Sequence, residues 1–269
     1  VKTICFPENS ADVRDFLKTA SARKETVTVS GGRTGIVGGA VPRGVDHVVS
    51  LERCTGPIML GLDSESGRWF VRVRAGIKLS ELNDVLSKKE YVLSPDIPAG
   101  YVPPEHIWFP VNPTETSACL GGVIASNASG SRSYHYGPIR EWVRRLSVVL
   151  AGGEKTDLMR GRFKCDDQAL ILSESMRIPF IACPKPLTKQ TLGYVAEKNM
   201  DPINLFIGSE GTLGVITEAD LFVTEEPRRI FGQLVFFPDR EKMLAVVSAL
   251  KQKSAVLTTA IAYYGPRAL

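Results

Sequence analysis

Residues 31–39 read GGRTGIVGG and residues 121–130 read GGVIASNASG. Two glycine-rich, almost chargeless stretches in one chain mark two places where backbone must approach something closely. Glycine lacks Cβ and takes positive φ freely, so such runs leave backbone N–H groups able to point at a ligand. With no acidic residue in either run, a phosphate or diphosphate suits them, since its oxygens need several donors at once. Two loops of this kind suggest a long ligand containing a diphosphate, which makes a nucleotide cofactor the first reading to test.

The first stretch is not a G-x-G-x-x-G turn, because Arg33 stands where the second glycine would be, and no GK[ST] follows to make a P-loop. What remains is Gly31, Gly32, Gly35, Gly38 and Gly39 with Thr34 as a hydroxyl donor, and a tight turn would use the same glycines. The second stretch carries no charge between Glu115 and Arg132. Thr116, Ser117, Ser126, Asn127 and Ser129 offer neutral hydrogen bonds, so a flat ring edged with carbonyl and N–H groups fits beside it. A Gly/Ala-rich helix packed on a sheet accounts for these residues equally.

Local signals place the elements. Asn9 and Ser10 cap a helix with Val13, Phe16, Leu17 and Ala20 inward. Thr26–Val29, Val48–Leu51 and Trp69–Val73 read as strands, the last alternating in the period of a half-buried strand. Ser80 starts a helix with Leu79, Leu82, Val85 and Leu86 on one face. Six prolines make 91–113 mostly loop. Arg144–Leu150 reads as a strand closed by the Gly152-Gly153 turn, 179–186 as irregular, and Leu213–Val223 as a strand beside a third glycine motif, GSEGTLGVITE at 208–218. Beyond Pro227 a strand at Gln233–Phe237, a helix capped by Asp239 with Met243, Val246, Val247 and Leu250 inward, and a strand at Thr258–Tyr264 look like the start of another domain.

A chain of 269 residues suits one or two domains at roughly 150 residues each. Lys+Arg 33 against Asp+Glu 29 gives a dispersed +4, which argues for neither nucleic acid nor membrane partners. No apolar run is long enough for a bilayer helix and no signal-peptide pattern opens the chain. Cys5, Cys54, Cys119, Cys165 and Cys183 are scattered and odd in number, which fits small buried residues in a reducing, cytoplasmic setting, with peripheral membrane attachment through a partner left open. The start at Val1 suggests a piece of a longer polypeptide. Asp63, Glu65, Asp157, Asp166 and Asp167 read as solvated turn residues, while Arg132, Tyr136 and Arg140 read as structural or cofactor-adjacent.

SGGRTGIVGGAVP (30–42), NPTETSACLGGVIASNASGSRSYHYG (112–137) and LFIGSEGTLGVITE (205–218) together resemble the FAD-binding (PCMH-type) domain of the vanillyl-alcohol oxidase/PCMH flavoprotein superfamily. The branch most similar is that of FAD-linked D-lactate dehydrogenase and the glycolate oxidase FAD subunit, over about Phe6 to Glu225. The resemblance implies an α+β fold of two α/β subdomains, 1–75 and 76–226, with FAD between them, followed at 227–269 by the start of a truncated α+β cap. It implies that Gly31, Gly32, Arg33, Thr34, Gly35, Gly38 and Gly39 carry the FAD diphosphate. Pro95 and Asp96 would approach the flavin, and Thr114, Glu115, Thr116, Ser117, Gly121, Gly122, Ser126, Asn127 and Gly130 would line it. Glu210, Gly211, Gly214 and Ile216 would hold the adenosine end.

Arg33 departs from a glycine that many relatives have. Some relatives carry a flavin-linking histidine in this region; arginine cannot do that chemistry but favours a diphosphate, so the expected FAD is non-covalent. No GHxGDGNxH-type motif is present, and the histidines are His47, His106 and His135; no metal site and no catalytic base are assigned. The implied activity is dehydrogenation of a small 2-hydroxy acid, such as lactate or glycolate, by hydride transfer to flavin N5. Electrons would pass on to an acceptor protein or quinone. A non-catalytic electron-transfer subunit and a reductase of the same superfamily using NADPH stand as alternatives.

Overall fold

The computed structural model describes residues 1–166, 169–172, 176–179, 193–252 and 257–265. The chain opens with β1 (Thr3–Cys5), α1 (Ser10–Ala22), β2 (Val27–Ser30) and β3 (His47–Ser50). These strands form a parallel sheet in the order β1-β3-β2. Helix α1 begins where the Asn9 carbonyl Oδ1 accepts from the N–H groups of Ala11 and Asp12, at 2.8 and 3.1 Å, satisfying two donors that the first turn leaves free. Its apolar stripe, Val13 and Leu17, packs with Val49 and Leu51. β2 runs straight out of its carboxyl end into the first glycine stretch, the edge at which parallel sheets receive ligands.

Next come β4 (Met59–Asp63), β5 (Arg68–Arg74), α2 (Leu79–Lys88), β6 (Val92–Leu93), β7 (Ile107–Trp108), α3 (Leu120–Ala125), α4 (Ser133–Tyr136), β8 (Val143–Val149), β9 (Lys155–Met159), β10 (Ala169–Ile171), β11 (Arg177–Pro179), α5 (Ile203–Phe206), β12 (Val215–Phe222) and β13 (Thr224–Glu225). Six of the strands form one sheet in the order β6-β4-β5-β12-β8-β9, antiparallel except for the β4–β6 pair. Two-stranded ribbons join β10 to β11 and β7 to β13. The fold is α+β. The point between residues 75 and 76 falls just after β5, which pairs with β12 in the large sheet. Leu79, Leu82 and Leu86 of α2 and Leu120, Val123 and Ile124 of α3 share one core with Val71, Val73, Leu146, Val148 and Leu221 of the sheet.

At the middle of β12 sits a carboxylate that no sequence pattern announced. Asp220 is fully buried. It accepts from Arg72 Nε and Nη2 at 2.8 and 3.0 Å and from Arg144 Nη1 at 3.0 Å, and Arg145 Nε lies 3.3 Å away. Arg72 is its partner across β5 and Arg145 across β8. The cluster reaches outward, because Asp63 accepts from Arg144 (2.9 Å) and Asp157 from Arg145 (2.7 Å), and Glu218 also pairs with Arg145. The reading of Asp63 as a solvated turn residue is therefore corrected, since Arg144 draws it into the sheet's ion network, while Asp157 stays exposed as expected but lies on β9, paired with Arg145, and not in a turn. Asp166 is likewise engaged, by the Ala169 N–H at 2.6 Å and by Arg177 at 2.5 Å. Glu65 is exposed, and Asp167 lies outside the described residues, as do Cys183 and most of the 179–186 stretch.

After Pro227 the expectation holds for the helix and fails for the strands. α6 (Arg240–Gln252) starts where Asp239 Oδ1 accepts the Lys242 N–H at 2.8 Å. Residues 233–237 and 258–264 form no strand. Strand backbone needs a partner for its N–H and C=O groups, and Leu234, Val235, Phe236, Tyr263 and Tyr264 instead stand exposed. The stripe on α6 is only partly covered: Met243 and Val247 are half-buried, while Val246 and Leu250 are exposed.

Removing the central carboxylate leaves guanidinium groups crowded in a buried place. Asp220→Asn should therefore cost about 3–5 kcal/mol of stability, read as a lowered urea midpoint. A loss below about 1 kcal/mol would show that the arginines re-pair without it.

Candidate functional site

The three glycine motifs meet. The first leaves β2 at Ser30, and a Cβ placed on Gly32 would stand 2.9 Å from the Ser117 carbonyl oxygen and 3.0 Å from Cys119 N. Only glycine allows that approach, so the first loop lies directly on the start of the second motif. The other end of the loop touches the third motif, where Glu210 Oε2 stands 3.0 Å from the Cβ position of Gly39. The third motif is tied to the second by backbone alone: Gly208 N–H donates to Ile124 O (3.1 Å) and Glu210 N–H to Ala125 O (2.9 Å).

Along the first loop, none of the backbone N–H groups from Gly32 to Ala40 donates to another described residue. Gly35, Ile36, Val37 and Gly39 are exposed. Arg33 takes φ 58°, a left-handed conformation that glycine adopts at no cost, which gives a backbone reason for glycine at this position. Its guanidinium pairs at 3.2 Å with Glu52 and is 60% exposed, so the pair is weak and the cation free to exchange partners.

The second motif is held from beneath. Asn112–Ser117 forms an irregular strip, then α3 turns inward. Ser80 N–H donates to Thr116 O, Leu120 N–H to Ile77 O and Gly121 N–H to Ala75 O, at 2.8–2.9 Å. Gly121 is buried against Ala75, while Gly122 faces open space. Thus part of the second glycine stretch is the small-residue helix that the sequence allowed, with one bare face. At its end a Cβ on Gly130 would fall 1.8 Å from Asn112 O, so the motif closes on its own beginning. Glu115 caps its own turn by accepting the Ser117 N–H at 3.0 Å, which holds its carboxyl below the usual range. Ser126 Oγ donates to Gly122 O at 2.8 Å. Asn127, at φ 47°, is buried, and its Oδ1 has no hydrogen-bond partner among the described residues.

In the third motif burial raises the Glu210 carboxyl above its ordinary range. Gly211 lies against Val29 of β2. Ile216 is buried on β12 opposite Val148, which leaves only its backbone for a ligand. Arg140, read from sequence only as structural or adjacent, brackets this motif: its Nη1 and Nη2 donate to Asn204 O and Ile207 O, both at 2.5 Å. Burial pulls its guanidinium down to about 10. Pro95 and Asp96 stand exposed beyond β6 at the edge of the large sheet, with Ser94 Oγ donating to the Asp96 carboxylate at 3.4 Å.

His47 is buried with Nε2 3.0 Å from Glu25, while His106 and His135 are exposed. Among the described residues no group of three or more His, Cys, Asp or Glu is placed to hold a metal ion. Cys54, Cys119 and Cys165 are buried, Cys5 is half-buried, and all four are free thiols. No described helix is long and apolar enough to cross a membrane.

A dinucleotide cofactor fits this arrangement. Consecutive unused N–H donors suit diphosphate oxygens, the buried Asn127 Oδ1 has no donor among the described residues, and Gly122 leaves a bare face for a flat ring. Sequence reasoning missed Asn112, whose carbonyl meets Gly130 and whose Oδ1 accepts the Arg132 N–H at 3.0 Å. The Asn-Pro pair at 112–113 was its signal, since such pairs mark ordered turns.

A Cβ at Gly35 meets nothing within 4 Å, and Gly35 carries no positive φ of the strained kind. Substitution there acts through charge and not through backbone strain. Gly35→Ala should keep its FAD, whereas Gly35→Asp should lose it through like-charge repulsion. Flavin-to-protein ratio after gel filtration reads both, and full flavin content in Gly35→Asp would remove the diphosphate from this loop.

A family model described as an FAD binding domain matches residues 1–104 and 99–158. D-lactate dehydrogenase of Anaerostipes hadrus is 30% identical over 239 residues, covering 89% of this chain and 40% of that protein. D-2-hydroxyglutarate dehydrogenase of Xanthomonas citri pv. viticola is 30% identical over 249 residues, covering 92% of this chain and 42% of that one. The chain thus spans about two fifths of the length of these relatives. Among solved structures, an alkyldihydroxyacetonephosphate synthase aligns with a TM-score of 0.57 at 20% identity, over 84% of this chain and 32% of that chain. A variant of Phl p 4 described as a glucose oxidase aligns at 0.55 and 18%, over 84% and 36%. At such identities these two speak for the fold alone.

Proposed function

The chain belongs to the family of FAD binding domains, of the vanillyl-alcohol oxidase/PCMH type, and from that membership we propose that it is the cofactor-holding part of a dehydrogenase of small 2-hydroxy acids. Relatives named as dehydrogenases of D-lactate and D-2-hydroxyglutarate support that substrate class. One observation carries the reading to the residues: the unused N–H run of the first loop is walled by the other two motifs. The N–H groups of residues 32–40 and the Arg33 cation hold the diphosphate. Thr114–Ser117, Gly121, Gly122, Asn127 and Gly130 line the ring, and the backbone of 210–216 holds the adenosine end. FAD, when bound, supplies the hydride acceptor; the protein positions it.

The link to the cofactor is non-covalent, since no histidine occupies the first loop. Acid precipitation should carry all flavin into the supernatant, and yellow pellet would count against it. Electrons leave to an acceptor protein or quinone, in a cytoplasmic setting.

Because the relatives extend well beyond the matched region, the remaining substrate contacts are assigned to residues outside this chain, with 227–269 beginning a cap. Anaerobic stopped-flow mixing of the FAD-loaded 269-residue chain with D-lactate, glycolate or D-2-hydroxyglutarate should leave the flavin oxidised. The whole protein should bleach with one of them and not with NADPH. Saturable bleaching of the shorter chain would place the complete substrate site within it, and bleaching of the whole protein by NADPH alone would make it a reductase.

A further inference from the structure

At the exit of the second motif, Arg132 and Tyr136 stand against the Trp108 ring, and neither side chain has a hydrogen-bond acceptor among the described residues. Trp108, on β7, is 9% exposed, and its indole Nε1 is sealed from solvent without any acceptor among the described residues. Trp142 shows the contrast, since its Nε1 donates to Tyr136 O at 2.8 Å. An unmet buried N–H costs free energy unless something else receives it.

Above the Trp108 ring stands the Arg132 guanidinium, its Cζ 4.4 Å from the centroid. Its backbone is fixed by Asn112, yet no carboxylate among the described residues lies within ion-pair reach of its side chain. Arg72, Arg144, Arg145 and Arg177 all have such partners. Tyr136 is half-buried and edge-on to Trp108, with ring centroids 5.8 Å apart. Its phenol makes no hydrogen bond to another described residue. Burial pushes the phenol up and Arg132 works against that, so it remains a donor at neutral pH.

We propose that Arg132 and Tyr136, set against the Trp108 ring, form a receiving point for a carboxylate, and that it takes the acid group of the substrate, which rests on the 2-hydroxy acid reading above. The set offers donors with no built-in acceptor, so it favours an anion over an amide or a cation. A guanidinium fork matches the two oxygens of a carboxylate. Its floor is an aromatic ring, which orders the fork by cation–π contact. The place suits a substrate, because Gly130 and Asn112 close the second motif beside it, and that motif is the wall assigned to the flavin ring. An oxygen of the cofactor itself shares this acceptor chemistry, and the test separates the two.

The FAD-loaded chain is titrated with oxalate, D-lactate and uncharged D-lactamide, following flavin absorbance and tryptophan fluorescence. Oxalate and D-lactate should shift both signals saturably, and D-lactamide should not. Arg132→Gln should weaken oxalate about tenfold to a hundredfold with flavin content unchanged, Arg132→Lys should recover part of the loss, and Trp108→Phe should weaken it less. The proposal falls if oxalate has no effect on the unaltered chain, if Arg132→Gln binds it equally, or if D-lactamide binds as well as D-lactate. It also falls if Arg132→Gln loses its FAD, which would give the donors to the cofactor. Should oxalate bind through Arg132 while no 2-hydroxy acid reduces the flavin of the whole protein, the receiving point is upheld and the substrate class is what fails.

Discussion

A single carboxylate sets the alignment of the central strands. Asp220 has no contact with solvent, and its two oxygens draw arginines from both neighbouring strands, Arg72 on β5 and Arg144 and Arg145 on β8. Buried ions are poor evidence of net stability, because desolvation offsets most of their attraction. Their effect here is on register. Side chains alternate across a strand, so a slip of one residue would turn Asp220 into the apolar face and an apolar residue toward the arginines. With β12 fixed, the turn that precedes it is fixed as well, and that turn is the third glycine motif.

Much of this was legible from local rules. Asn9 at a helix start, the leucines of α2 at helical spacing, and β-prone runs between glycines all describe interactions within a few residues, and such signals survive in a single sequence. The cofactor loops were legible for a related reason: a glycine that lets backbone come close leaves a compositional mark, as Gly32 and Gly130 do. The C-terminal region shows the limit. Leu234–Phe237 is an apolar, β-prone run, but such a run says only that the segment wants burial, and no described strand stands beside it to accept its backbone hydrogen bonds.

What stayed hidden is what depends on pairing between distant residues. Asp63 and Asp157 look like turn carboxylates because their arginine partners lie 81 and 12 residues away. Trp108 reads as one more aromatic in a proline-rich stretch, and only the fold shows its N–H unmet beneath Arg132. Arg140 likewise gains meaning from the carbonyls of 204 and 207, which no spacing rule connects to it.

The joints from the second glycine motif to the other two are made by main-chain groups: Gly208 to Ile124, Glu210 to Ala125, and the bare approach of Gly32 to Ser117. Every residue type except proline carries the same N–H and C=O. A cradle assembled from them tolerates wholesale exchange of the surrounding side chains, provided that a handful of small residues stay small. That separation gives such a scaffold wide evolutionary latitude: the binding of one cofactor can persist while the rim, where Arg132 stands, is rewritten for a different substrate.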